Sequence, residues 1–184
     1  MIEKKIPFVG LHAHSVAGSI FDAIGYPDEH MDFCYENGGE ALALTDHGNM
    51  NGFSHQFLHW QKMKSEGKEF KPIFGVEAYF LPSIDEWRDD YDRIKEDKKL
   101  AKSLAKQGET SGATVEDEDA SKKAIKSVIN RRRHLVLLAQ NQTGLNNLFK
   151  LISASYREEN FYRYPRVDYK MLAEHSEGVI AASA

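Results

Sequence analysis

Two histidines separated by one residue begin the part of the sequence that could do chemistry. His12 and His14 stand in the run LHAHS, at the end of a short apolar segment. In an extended strand, alternate side chains point to the same face about 6–7 Å apart, so the two imidazoles can converge on one metal ion or on a close pair of ions. Two such histidines can equally be surface residues, so neighbouring motifs have to decide between these interpretations.

A second motif, LALTDHGNMNG, ends a buried segment with Asp46, His47 and Gly48, directly before a predicted helix. Titratable residues at the carboxyl end of a strand lie at the edge where α/β folds place their sites. The structural alternative is that Asp46 caps the next helix and that His47 lies in a turn. The presence of the first motif favours the functional interpretation.

A third motif is the single acid Glu77 inside the apolar run FGVEAYF. A charge buried in a strand is costly unless it is paired or bound to a metal. Because a carboxylate can bridge two divalent cations and a histidine cannot, Glu77 is a candidate bridging ligand. His134 opens the run HLVLLA. It is a candidate metal ligand only when it is considered together with the other three motifs. This mix of nitrogen and oxygen ligands suits zinc, manganese or iron, with magnesium a further candidate.

Short apolar runs bounded by turn or polar residues predict the strands that position these side chains. Apolar residues at helical spacing predict helices between them, one after Pro27 and another after Thr143, a candidate N-cap. Strands that are apolar on both faces and alternate with helices indicate an α/β fold with a parallel sheet, open or closed into a barrel. The predicted strands are Phe8 to His12, Ala41 to Thr45, Ile73 to Phe80, His134 to Ala139 and Gly178 to Ala182, and the predicted helices are Asp28 to Asn37, one through Phe53, Phe57, Trp60 and Met63, and one from Leu145 to Tyr156.

Residues 85–133 interrupt this alternation. They hold 13 of the 24 Lys and Arg and 12 of the 28 Asp and Glu. We therefore predict a charged insertion within a single domain, with a helix from Trp87 to Ala105, a mobile segment from Gln107 to Asp119, and helix again from Ala120 to Arg133.

Three arginines at the end of this insertion directly precede His134. Arg131, Arg132 and Arg133 are candidate DNA contacts, although such a run more often forms a solvated cluster on the surface.

His55 and His59 have metal-capable helical spacing, but residue 56 is Gln rather than the general-base Glu of a zinc protease. We therefore expect those two histidines to lie on a solvated helix face.

Composition excludes several classes of protein. The 184 residues, 41% of them hydrophobic, are enough for one globular domain, and the net charge of -4 argues against bulk neutralisation of duplex nucleic acid. Cys34 is the only cysteine and no run reaches the length of a membrane span, so we expect a cytoplasmic protein with no membrane partner. Neither a phosphate-binding glycine loop nor a thiol motif is present, which leaves metal-assisted hydrolysis.

Five runs together resemble the polymerase-and-histidinol-phosphatase (PHP) domain, in the version found at the N-terminus of bacterial and phage replicative DNA polymerase III alpha subunits. The resemblance covers nearly the whole chain except residues 85 to about 126, where this sequence is longer than is usual in the family. The runs are LHAHS, LTDHGNMNGF, KPIFGVEAYF, HLVLLAQNQTGLNNLFKLIS and RVDYKMLAEHSEGVIAASA.

The resemblance implies a partial, distorted barrel of the seven-unit PHP type, truncated before its last strands, with a metal cluster at the carboxyl end of the strands. The family site also uses a later His or Cys and a final Asp-x-His motif. We therefore expect an incomplete site and weak or no hydrolysis from residues 1–184 alone. The implied ligands of two or three divalent ions are His12, His14, Asp22, His47, Glu77 and His134, with Asp46 behind them in a supporting role.

The resemblance implies that this chain is the N-terminal part of a replicative DNA polymerase. That part would carry a metal-dependent phosphoesterase site of the 3'–5' exonuclease type. The implied partners are the rest of the alpha subunit, a DNA 3' end, and a proofreading or clamp subunit. The polymerase palm is not among these residues, so we do not expect this chain alone to extend a primer. Two alternatives stay open: a non-catalytic module that stabilises the polymerase or docks a subunit, and a free-standing PHP phosphatase.

Overall fold

A computed structural model describes residues 8–107, 123, 126–128 and 131–184. Helices and strands alternate along the chain, which confirms the α/β class. No helix within the described residues has the length and apolar character needed to cross a membrane. The helices are α1 (Pro27–Glu36), α2 (Phe53–Ser65), α3 (Ile84–Gln107), α4 (Gln142–Ser155) and α5 (Tyr169–Glu174), and the strands are β1 (Ala41–Leu44), β2 (Lys71–Phe80), β3 (Arg133–Ala139), β4 (Phe161–Tyr162), β5 (Tyr164–Val167) and β6 (Val179–Ser183).

The long strand β2 organises the sheet. It pairs in parallel with β1 through its first residues and in parallel with β5 at its end, while β3 runs antiparallel to it. At the far side of β3, β6 is again antiparallel, as is β4 beside β5. The sheet is therefore mixed, and the prediction of a parallel sheet is wrong.

The charged insertion explains the antiparallel pair. Phe80, the last residue of β2, is paired with Arg133, the first residue of β3. The chain therefore leaves β2 and enters β3 at the same end of the sheet, as in a hairpin. In a β-α-β unit the helix would instead return the chain to the opposite end. Apolar runs do not reveal strand direction, so the sequence could not show this. The consequence is that His134, at the start of its strand, lies at the edge where β2 ends.

The predicted first strand, Phe8 to His12, is not a strand in the structure. Gly10 forms an isolated parallel bridge with β1. The carbonyl oxygens of Gly10 and Ala13 accept hydrogen bonds of 2.8 Å from the amides of Ala43 and Thr45. The segment therefore runs beside β1 but makes too few bonds for a continuous ladder.

The core lies between the sheet and α4, where Leu148 and Leu151 are fully buried against strand residues that include Val76 and Leu137. The sheet and α4 thus form the rigid support of the edge that carries the predicted ligands.

The start of the insertion is also packed, because the buried Trp87 of α3 donates its indole N–H to the carbonyl of Val128 at 2.7 Å. The helix predicted from Trp87 to Ala105 is confirmed within α3. Of the predicted mobile segment, residues 108–119 lie outside the described residues, and of the second predicted helix only residues 123 and 126–128 are described as helical.

Asn141, and not Thr143, caps α4. Its side chain accepts a hydrogen bond of 3.0 Å from the amide of Gly144. We expect Asn141→Ala to lower the free energy of unfolding by about 1 kcal/mol, because that amide loses its partner. Thr143→Ala is the control and should cost less than half as much in chemical denaturation. Equal losses in the two variants would contradict this assignment of the cap.

Candidate metal centre

The carboxylate of Glu77 is surrounded by imidazole rings. Its side chain is 2% exposed, and its Oε2 lies 3.0 Å from His12 Nε2 and 3.1 Å from His14 Nε2. His47 Nδ1 lies 2.9 Å from the same oxygen, and His134 Nδ1 contacts the other oxygen, Oε1. Five of the six predicted ligands therefore meet at one place, although they come from four separate segments.

These side chains form two groups that share Glu77. The first consists of His12, His14 and Glu77, and the second of His47, Glu77 and His134. Within each group the candidate ligand atoms all lie within 4.8 Å of one another. A carboxylate common to two groups is the arrangement that a bridging ligand between two cations requires.

The turn after β1 directs His47 onto Glu77. The two residues form an isolated parallel bridge, in which the amide of Gly48 donates to the carbonyl of Glu77 at 2.8 Å. Gly48 has φ +66°, and a Cβ there would lie 2.8 Å from Pro165 Cγ. Glycine alone meets both conditions, so the Asp-His-Gly order follows from the backbone path as well as from the ligand.

Asp46 lies behind the cluster and is 3% exposed. Its carboxylate accepts hydrogen bonds from the amide and hydroxyl of Ser15, at 2.6 and 2.8 Å, and from the hydroxyl of Ser19 at 3.0 Å. The hydroxyl oxygen of Ser19 in turn accepts from the amide of His47 at 3.0 Å. Asp46 therefore anchors the loop that follows His14. Sequence reasoning missed both serines, although Ser15 is the last residue of the LHAHS run and Ser19 follows it closely.

Asp22 touches the cluster at one point. Its Oδ2 lies 2.8 Å from His47 Nε2, and its side chain is 55% exposed. It belongs to neither of the two groups that share Glu77. Asp22 is thus placed to orient His47 or to add a ligand on the solvent side.

The pKa shifts of His14 and Glu77 suit a metal site. Burial lowers the pKa of His14, and the neighbouring His47 lowers it further. Burial alone would raise the pKa of Glu77, but hydrogen bonds from His12 and His134 and the charge of His47 outweigh it, so the pKa of this carboxyl lies below its usual value. Nδ1 of His14 is buried without a hydrogen-bond partner among the described residues. A lowered pKa at His14 and at Glu77 favours a neutral imidazole beside an ionised carboxylate, which fits a divalent cation.

The three arginines before His134 have different surroundings. Arg131 Nη1 lies 2.7 Å from Asp90 Oδ2 in α3, and Arg133 is exposed at the start of β3. The guanidinium of Arg132 stacks over the ring of Tyr164, 3.9 Å from its centroid. Their contact with DNA stays a prediction, and any such contact would not be made by one uniform patch.

His55 and His59 also differ from each other. His55 is exposed, as expected. His59 is only 12% exposed, and its Nε2 lies 2.9 Å from Asp32 Oδ1, which joins α2 to α1. A solvated position is therefore wrong for His59, because the helix pair α1–α2 closes over it.

Comparison with known proteins gives a consistent family. A family model described as the PHP domain matches residues 10–184. DNA polymerase III subunit alpha of Aquifex aeolicus is 34% identical over 177 residues, which cover 96% of this chain and 12% of that protein. The same subunit of Treponema pallidum is 33% identical over 180 residues, covering 98% of this chain and 12% of that protein. The chain thus spans only 12% of the length of either relative.

One solved structure is more distantly similar. It is described as a metal-dependent phosphoesterase from Bifidobacterium adolescentis, with a TM-score of 0.43 and 10% identity. The match covers 82% of this chain and 34% of that chain. A likeness at this level adds no weight to a functional assignment.

Proposed function

Because this chain belongs to the PHP-domain family, we propose that its histidine and glutamate cluster binds two or three divalent cations and hydrolyses phosphoesters. The observation that carries the proposal is the convergence of four imidazoles on the buried carboxylate of Glu77. The relatives named DNA polymerase III subunit alpha support DNA with a free 3' end as the substrate.

Each side chain has a distinct role in this proposal. His12 and His14 would hold one cation and His47 and His134 another, while Glu77 would be common to both. Zinc, manganese and iron fit these donors best, and magnesium is a further candidate. When bound, such cations supply a Lewis acid and lower the pKa of a coordinated water that can attack phosphorus. The chain then needs no side-chain nucleophile, and its own task is to hold the ligands and orient His47 through Asp22.

We further propose that the chain is the N-terminal part of a replicative polymerase. Matches to alpha subunits over 96% and 98% of the chain support this setting. The remainder of the alpha subunit is then its first partner, and a proofreading or clamp subunit a further one.

An exonuclease assay tests the hydrolytic function. Because residues 1–184 alone are expected to hydrolyse weakly or not at all, the complete alpha subunit that carries them is purified. It is incubated with a 5'-labelled single-stranded oligonucleotide and manganese or zinc, and 3' shortening is followed on a gel. We expect His14→Ala to be slower by about a hundredfold, because a Lewis-acid contribution of several kcal/mol is lost. The control is His55→Ala, which removes an exposed imidazole outside the cluster. Equal rates for His14→Ala and wild type would overturn the catalytic assignment and leave a docking role.

Divalent metal should stabilise the protein more at pH 8 than at pH 6. Metal at a hundred times its Kd adds about 2.7 kcal/mol to the free energy of unfolding. The metal-free protein should itself lose stability as the pH falls below about 6.5, because the pKa of His14 is lowered in the folded state and the unfolded chain takes up the proton first. Protons also compete with metal for the imidazoles. Thermal unfolding with and without EDTA measures the difference, and an equal metal-induced shift at both pH values would contradict it.

A further inference from the structure

Tyrosine rings and guanidinium groups form a layer beside the candidate metal centre. These side chains have no role in the hydrolysis proposed above. Tyr79 follows Glu77 by two residues in β2, so both side chains point to the same face of the sheet. The Tyr79 ring centroid lies 5.4 Å from that of His134 and 6.1 Å from that of His47, to which it is nearly parallel. The Tyr79 ring therefore packs against one side of the histidine and glutamate cluster.

Arg132 stacks on the rings of Tyr79 and Tyr164. Its guanidinium carbon lies 5.1 Å from the ring centroid of Tyr79 and 3.9 Å from that of Tyr164, and the two rings are 5.3 Å apart. Contacts of this kind between a cation and aromatic faces fix the plane of the guanidinium. The positive charge of Arg132 thus contacts the Tyr79 ring, and the same ring contacts two of the proposed metal ligands, His47 and His134.

A second guanidinium adds to the positive potential. Arg166 is fully buried, stacks over Trp87 at 4.0 Å, and lies 6.0 Å from the ring of Tyr164. Burial, followed by the charge of Arg132, lowers the pKa of Arg166 to about 10, so this group is still cationic at neutral pH. Arg166 Nη1 donates to the carbonyls of Tyr162 and Tyr164 at 2.7 and 3.1 Å, and its charge raises the positive potential around Arg132, which favours an approaching anion.

We propose that Arg132, held by Tyr79 and Tyr164, binds a phosphate group of the nucleic-acid strand that is cleaved at the metal centre. This inference rests on the proposed hydrolytic function and names the residue that receives the substrate. Arginine suits the position because its flat fork can bind phosphate oxygens through its edge while its face stays on the rings, whereas lysine has neither the fork nor the flat face. The competing possibility is a stack that only joins the end of the insertion to β5.

The test measures binding in the absence of metal. The anisotropy of a fluorescein-labelled oligothymidylate is followed with purified protein in EDTA, over a series of salt concentrations. Arg132→Met should raise Kd about tenfold and reduce the slope of log Kd against log salt by about 0.7, the value for one phosphate contact on a single strand. Arg132→Lys should keep the slope but raise Kd several-fold. Arg157→Met is the matched control, since it makes the same change at an exposed arginine outside the run of three, and should change Kd by less than about twofold.

Two outcomes would overturn the inference: unchanged binding by Arg132→Met, or equal weakening by Arg132→Met and Arg157→Met. Thermal unfolding of each variant shows whether it is folded, and Arg132→Lys carries the test if Arg132→Met is not. The failure of the inference can be told from the failure of the proposed function. If the wild-type alpha subunit hydrolyses DNA but binding does not depend on Arg132, only the inference is removed. If binding depends on Arg132 but the wild-type alpha subunit does not hydrolyse DNA, only the proposed function is removed.

Discussion

Glu77→Gln is expected to slow phosphoester hydrolysis by about a hundredfold or more, without unfolding the protein. Glutamine has nearly the same shape as glutamate, but its neutral amide cannot bridge two cations. Both groups of candidate ligands share Glu77, so a single substitution weakens both. Each tenfold of rate corresponds to about 1.4 kcal/mol, and a Lewis-acid site contributes several kcal/mol.

Initial rates of the complete subunit proposed to carry this chain, with saturating manganese, measure this effect. Glu69→Gln is the control, because it makes the same chemical change at an exposed acid outside the cluster. A wild-type rate in Glu77→Gln would contradict the bridging role. A loss of similar size in Glu69→Gln would show that the assay responds to general charge and not to the site.

Asp46→Ala is expected to lower the free energy of unfolding of the metal-free protein by about 3–5 kcal/mol. The buried carboxylate accepts three hydrogen bonds, two from Ser15 and one from Ser19. Removing it leaves these donors without an acceptor in a place that water does not reach. The loop that follows His14 would lose its anchor, so metal affinity should fall as well.

Chemical denaturation in EDTA measures the stability term separately from metal binding. Asp22→Ala removes a carboxylate from the same neighbourhood, but that side chain is 55% exposed, and its loss should cost less than about 1 kcal/mol. Similar free energies for the two variants would mean that Asp46 is not a structural anchor.

The candidate ligands could be predicted because their pattern is local. His12 and His14 alternate along an extended segment, and Glu77 is an acid within an apolar strand, so each is visible in a few letters of sequence. His134 was a weaker prediction, since its place depends on β3 running antiparallel to β2. Neither charge composition nor the apolar runs reveal that direction.

The residues around the ligands could not be predicted, because they come from distant segments. Ser15 and Ser19 gain a role only when the strand ending before Asp46 lies beside their loop. Tyr79 shares a face with Glu77, which strand alternation could have indicated, but its partner Tyr164 is 85 positions further along and comes near only through the pairing of β2 with β5. In the same way, Asn141 and Thr143 are both plausible caps until the start of α4 is known.

The metal content of the purified protein tests the central claim most directly. The protein is saturated with manganese or zinc, separated from free metal by gel filtration, and analysed by inductively coupled plasma mass spectrometry. We predict two or three ions per chain for the wild type and at most one for Glu77→Gln, since the two ligand groups share that carboxylate. A wild-type protein that retains no more metal than Glu77→Gln would contradict the assignment of this cluster as a metal centre.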